Sequence, residues 1–93
     1  MGSKKLTQWG SLLLDAMELP KEIMLNLPKV TIIGNVQCCI ENHRGVIEYS
    51  GERVRVTINS GELIVSGQDL VIKYLSSEEI AVDGSINAVY YEL

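Results

Sequence analysis

Two hydrophobic periods divide the chain. From Leu6 to Met17 the apolar residues Leu6, Trp9, Leu13, Ala16 and Met17 recur at steps of three and four, the spacing of one helix face. Leu12 and Leu14 widen that stripe, while Gln8, Ser11, Asp15 and Glu18 take the opposite side. Thr7 suits the N-cap, and Pro20 disfavours helical geometry at Leu19. Gly10 weakens the helix by about 1 kcal/mol relative to alanine. A second short helical turn is expected over 21–25, with Pro20 at a first helical position.

After Pro28 the period changes to two. Val54, Val56 and Ile58 alternate with Arg53, Arg55 and Thr57, as expected of a strand buried on one face. Leu63 and Val65 alternate with Glu62 and Ser66, and Ile80 and Val82 with Ala81 and Asp83. Turn signals such as Gly34-Asn35, Asn42-His43-Arg44-Gly45, Ser50-Gly51, Asn59-Ser60-Gly61, Ser66-Gly67-Gln68-Asp69, Ser76-Ser77-Glu78 and Asp83-Gly84-Ser85 separate these runs. The pattern predicts strands over 29–33, 36–41, 46–50, 53–58, 62–65, 70–75, 80–82 and 87–91. That density leaves no room for crossover helices and so excludes βαβ units. The expected architecture is mainly β: a small antiparallel sandwich or meander of about eight short strands, preceded by an amphipathic helix. A short β-solenoid is the competitor, because glycines recur at near-regular intervals. Residues 1–20 would form the helix and its linker, and residues 21–93 the all-β domain.

Length and charge narrow the function classes. A chain of 93 residues has room for one domain with a thin core, which burial against a partner would help. Hydrophobic residues make up 46%, too many for a disordered chain. A net charge of −4 argues against nucleic-acid binding, which needs a clustered basic footprint. The longest apolar run near the N-terminus, Leu12-Leu13-Leu14, is too short for a signal-peptide core or a membrane span. Cys38 and Cys39 are strand neighbours that point to opposite faces and form no ordinary disulfide. A reducing, cytoplasmic setting is therefore expected. Met1-Gly2-Ser3 fits a native start and a cloning remnant equally well.

No catalytic or metal constellation emerges. His43, the single histidine, sits in a polar turn with no nucleophile or orienting acid patterned around it, and reads as an exposed turn residue. One histidine and two opposed cysteines cannot surround a zinc ion, and no glycine-rich phosphate loop is present. No cofactor is implied. Glu48, Glu62 and Glu92 are scattered over separate strands, and Arg53 and Arg55 read as cross-strand ion-pair partners of Glu62. The turn glycines Gly34, Gly45, Gly61, Gly67 and Gly84 read as structural. The candidate binding residues are Leu6, Trp9, Leu13 and Met17. Their stripe could cover the protein's own sheet, enter a partner's groove or touch a membrane surface. On the sheet's second face, Ile33, Ile47, Ile64, Val71 and Val89 would meet water unless a sandwich or another chain covered them, so a homo-oligomer or partner complex is expected.

One resemblance sharpens this picture. Glu18-Leu19-Pro20, Leu27-Pro28-Lys29 with Gly34-Asn35, and Glu41-Asn42-His43-Arg44-Gly45 resemble the YqfC branch of the YabP/YqfC family of sporulation proteins. The run Gly61-x-Leu63-x-Val65-x-Gly67-x-x-Leu70-x-Ile72 is similar to a stretch shared by the wider family. The resemblance spans about residues 18–91. It implies an all-β protein of endospore-forming bacteria with no catalytic residues to transfer. It also implies action through protein–protein interaction in the mother cell, with a membrane protein as partner and peripheral membrane association through it.

Overall fold

Every strand pairing is antiparallel, which excludes the solenoid. The structure is a computed structural model that describes residues 26–93. The expected N-terminal helix, the turn over 21–25 and the stripe Leu6, Trp9, Leu13 and Met17 lie outside the described residues. Six strands form one sheet: β1 (Lys29–Ile33), β2 (Gln37–Glu41), β3 (Gly45–Tyr49), β4 (Arg53–Ile58), β5 (Gly61–Leu75) and β6 (Glu79–Glu92). Their order is β1-β2-β6-β5-β4-β3.

The expectation of eight strands is corrected to six. Gly67-Gln68-Asp69 and Asp83-Gly84-Ser85, read as turns, are bends inside two long continuous strands. They face each other across the β5–β6 ladder, where Gly67 opposes Ile86, Gln68 opposes Ser85 and Val71 opposes Asp83. Unpaired residues at these positions are β-bulges, which bend a strand without ending it. The two strands therefore turn the corner together.

The two short hairpins dock on either side of that corner. At the β1–β2 turn, Gly84 N–H donates to Val36 O (3.1 Å) and Ile86 N–H to Asn35 O (2.8 Å). At the β3–β4 turn, Gly67 N–H donates to Glu52 O (2.9 Å) and Leu70 N–H to Gly51 O (2.8 Å). Ser50 and Ser76 stabilise equivalent tight turns, their hydroxyls accepting from the N–H groups of Arg53 and Glu79.

Connectivity shows that the sheet folds over. Only residues 42–44 join β2 to β3, yet β6, β5 and β4 lie between those strands in the sheet. Four strand spacings are about 19 Å in a flat sheet, more than the roughly 14 Å this link can span. The curl brings the elements close enough. Asn42 N–H donates to Glu78 O and Arg44 N–H to Thr57 O, tying the link to both halves. Ile72 N–H in the far half of β5 also reaches the Tyr49 hydroxyl of β3. A sandwich of two separate sheets is thus replaced by one sheet wrapped over one core.

That core is one cluster: Cys38 and Ile40 of β2, Ile80 and Val82 of β6, Val54, Val56 and Ile58 of β4, Leu63 and Val65 of β5, with Leu70 and Ile86 at the corner. Each large aliphatic side chain removed from water contributes about 1.5–3 kcal/mol. Of the five expected second-face residues, Val89 turns inward and Ile64 keeps its face but is buried. Asn87 is the extra residue of a bulge, so the inward set of β6 shifts from even to odd numbers and Val89 packs against the core. Ile64 points away from the cluster but is fully buried, flanked in register by Arg55 and Tyr90. Ile33 and Val71 are exposed on the outer face, and Ile47 is exposed as the unpaired residue of a bulge in β3.

Candidate functional site

His43 is the clearest correction to the sequence reading. It is only 4% exposed, not a solvent-facing turn residue. Its Nδ1 accepts from the Gly45 N–H at 3.0 Å, and its Nε2 lies 3.1 Å from the Ser76 carbonyl oxygen. An accepting Nδ1 and a donating Nε2 describe the neutral ring with its proton on Nε2. The imidazole thus ties the β2–β3 link to the β5–β6 turn, and both nitrogens are occupied. The local signal is the pair of positive-φ residues around it, Asn42 (φ 69°) and Gly45 (φ 141°), which turn the chain inward. His43→Ala is expected to destabilise the protein by about 1–3 kcal/mol, by removing a buried ring and leaving the half-buried Gly45 N–H and Ser76 carbonyl without it. Urea unfolding measures this, and a change below about 0.5 kcal/mol would return His43 to the surface.

The cysteines divide as strand geometry requires. Cys38 is buried in the core and Cys39 half-exposed on the outer face, both as free thiols. Burial, and secondarily the neighbouring Cys39, push the Cys38 thiol from its ordinary 9.0 up to about 11. Cys38 is consequently a protonated, unreactive core side chain. The unfolded chain ionises near 9 while the folded chain does not until near 11. This contribution to stability is therefore complete below pH 9 and lost as pH rises through that window. The expected loss is about 3 kcal/mol across the window. Denaturant unfolding between about pH 8 and about pH 10.5 should show it, and Cys38→Val should flatten the decline. An unchanged slope in that variant would contradict the assignment.

On the outer face, three charged side chains meet. Arg55 Nε and Nη2 donate to the two Glu62 carboxylate oxygens at 2.8 and 3.0 Å, and Nη1 donates to Glu48 Oε1 at 2.9 Å. Arg53 adds a looser contact to Glu48 at 3.7 Å. The Arg55 hydrogen bond, its charge and that of Arg53 hold the Glu62 carboxyl below its ordinary range. The Glu62 carboxylate therefore stays ionised as an acceptor and is not poised as a general acid. The ion pair read for Arg55 and Glu62 is present. Glu48 was missed as its second partner, although seven residues separate each glutamate from Arg55, a spacing that a tight meander brings together.

Further polar groups also tie distant segments together. Gln37 Nε2 donates to Asp83 Oδ1 at 2.8 Å across β2 and β6, and Asn42 Nδ2 donates to Leu27 O at 2.8 Å. Among the described residues, no three His, Cys, Asp or Glu side chains gather around one point. A hollow of about 260 Å³ opens at one end, lined by Leu27, Pro28, Ile58, Asn59, Ser60, Tyr91 and Leu93. Its walls are mainly apolar and include no acidic side chain or histidine. Among the described residues, no helix is long and apolar enough to cross a membrane.

The family model for the YabP family matches residues 26–93, which contain all six strands and the His43 link. The chain belongs to the YabP family. It is also 38% identical over 91 residues to a Bacillus subtilis (strain 168) protein named uncharacterized protein YqfC, covering 98% of this chain and 97% of that one. Both matches agree with the resemblance carried by the glycine-punctuated run in β5 and by the 41–45 link. Within this YabP-family chain, those segments form the corner and the staple that joins the two halves of the sheet.

Proposed function

We propose that the protein acts without catalysis, as an interaction or assembly protein of endospore formation, in the mother cell and with a membrane protein as its partner. Family membership supports the sporulation setting. The observation that carries the interaction reading is the contrast between its polar and apolar surfaces. His43, Arg55, Glu48, Glu62, Gln37 and Asp83 are engaged in holding strands together. Apolar side chains remain exposed at both sheet edges, with Ile32 and Ile33 on β1 and Ile47 and Tyr49 on β3. Exposed apolar side chains collected at open strands favour association with another chain. The apolar spacing of Leu6, Trp9, Leu13 and Met17 in the sequence supports them as candidates for a second contact with the partner.

The test is capture with the full chain from sporulating and vegetative cells, quantified by mass spectrometry. One protein recovered at near-equal stoichiometry, from sporulating cells alone, is the expected result. No stoichiometric protein at any stage would contradict the proposal. The hollow beside Leu27 and Tyr91 favours a second reading, a small apolar ligand, which co-purifying lipid or metabolite in the folded protein would support.

A further inference from the structure

The two edges of the sheet differ in their readiness to accept another strand. The β3 edge carries a bulge between Val46 and Glu48. Its Glu48 is held by Arg55, and its Tyr49 hydroxyl receives the Ile72 N–H from the other half of the sheet. Bulges and engaged charges of this kind blunt an edge. At the β1 edge, pairing with β2 runs from Lys29–Glu41 to Ile33–Gln37 without a register shift. Among the described residues no strand lies beyond β1, whose only charged residue is Lys29. Ile32 shares the core side of the sheet with its partner Cys38 yet is 54% exposed, with no neighbour on its other side among the described strands.

We propose that β1 pairs antiparallel with β1 of a second copy of this chain, about a two-fold axis at Thr31, so that two folded sheets join edge to edge. This deepens the interaction reading and rests on it. The sequence Lys29-Val30-Thr31-Ile32-Ile33 is self-complementary in that arrangement. Val30 faces Ile32 of the second copy on the core side, and Ile32 faces the other Val30, giving two β-branched cross-strand pairs that extend the core. Thr31 faces Thr31 on the outer side, where two hydroxyls can bond. The two Lys29 side chains lie at opposite ends, about 13 Å apart along the strands and beyond effective repulsion at ordinary salt. Parallel pairing in register would set them side by side. Pairing β1 with the bulged β3 of another copy would match neither geometry nor charge, and would propagate head to tail without closing.

A five-residue strand pair is a small interface, so the dimer should be weak, with a Kd on the order of 10–100 µM. Sedimentation velocity on the full chain from about 5 to about 500 µM, spanning that Kd, reads it directly. The mass should rise from 10.3 kDa toward a plateau at twice that value. Ile32→Lys appears twice per dimer and should weaken association at least about tenfold while leaving the thermal unfolding transition nearly in place. Ile47→Lys on β3 should leave association unchanged. Amide hydrogen exchange on the unmodified protein adds a readout independent of variant folding: β1 amides should slow with concentration and β3 amides should not. The proposal is overturned by a constant monomer mass, growth beyond a dimer without a plateau, association abolished by Ile47→Lys or untouched by folded Ile32→Lys, or concentration-dependent protection that spares β1. A monomeric chain that still captures its stoichiometric partner from sporulating cells would retain the interaction reading and remove this one.

Discussion

Gly67→Ala is expected to cost at least about 3 kcal/mol, and in a domain this small to leave much of the protein unfolded. Gly67 is buried in β5 at the corner, packed against the backbone of β6. A Cβ there would collide with the Ser85 carbonyl oxygen and stand 3.0 Å from the Ile86 Cα. Those atoms belong to the backbone, so no side-chain rotation relieves the clash. The same N–H also anchors the β3–β4 turn through Glu52 O, and any shift of the corner disturbs that contact. Gly51→Ala is the control, since a Cβ at Gly51 meets nothing within 4 Å. Thermal unfolding of the two variants should differ by well over 10 °C, because each kcal/mol corresponds to about 4–8 °C at this size. Equal melting temperatures would mean that the corner does not have this geometry.

Leu63→Ala should be the most damaging of the simple core truncations, at about 3–4 kcal/mol. Leu63 is completely buried in β5, opposite Val56 on one side and Tyr91 on the other. It belongs to the cluster that the folded sheet encloses, so its removal leaves a cavity that both halves of the sheet must collapse to fill. Ile33→Ala, at an exposed position on β1, should change stability by less than about 0.5 kcal/mol. Guanidinium unfolding distinguishes them. A Leu63→Ala cost below about 1 kcal/mol would mean that the two halves do not share one core.

The period-two alternation was enough to place β1 and β4 at their observed ends and β2 and β3 within a residue. Of these short strands, β2 and β4 bury alternate residues in the core. The long strands escaped it because bulges at the corner change which parity faces inward. Local sequence around Gly67 and Gly84 has the chemistry of a turn, and only their mutual pairing makes it a bend. The inward position of His43 has a similar origin. A polar residue between Asn42 and Arg44 reads as exposed until the link is seen to close the space between Ser76 and Gly45. The Glu48–Arg55–Glu62 cluster depends on register across three strands, although its equal spacing was already visible.

Association without catalysis is tested most directly by heat-resistant spore yield in an endospore former whose only copy of this gene carries each variant, normalised to folded protein. Substitutions of polar groups that keep the fold, such as Glu62→Gln, Glu48→Gln and Cys39→Ser, should preserve the yield. Charge introduced at exposed apolar edge positions, as in Ile32→Lys, should depress it at undiminished folded protein. A normally folded polar-group variant that abolishes spore formation, with the edge variants fully functional, would contradict the account and point to chemistry at that group.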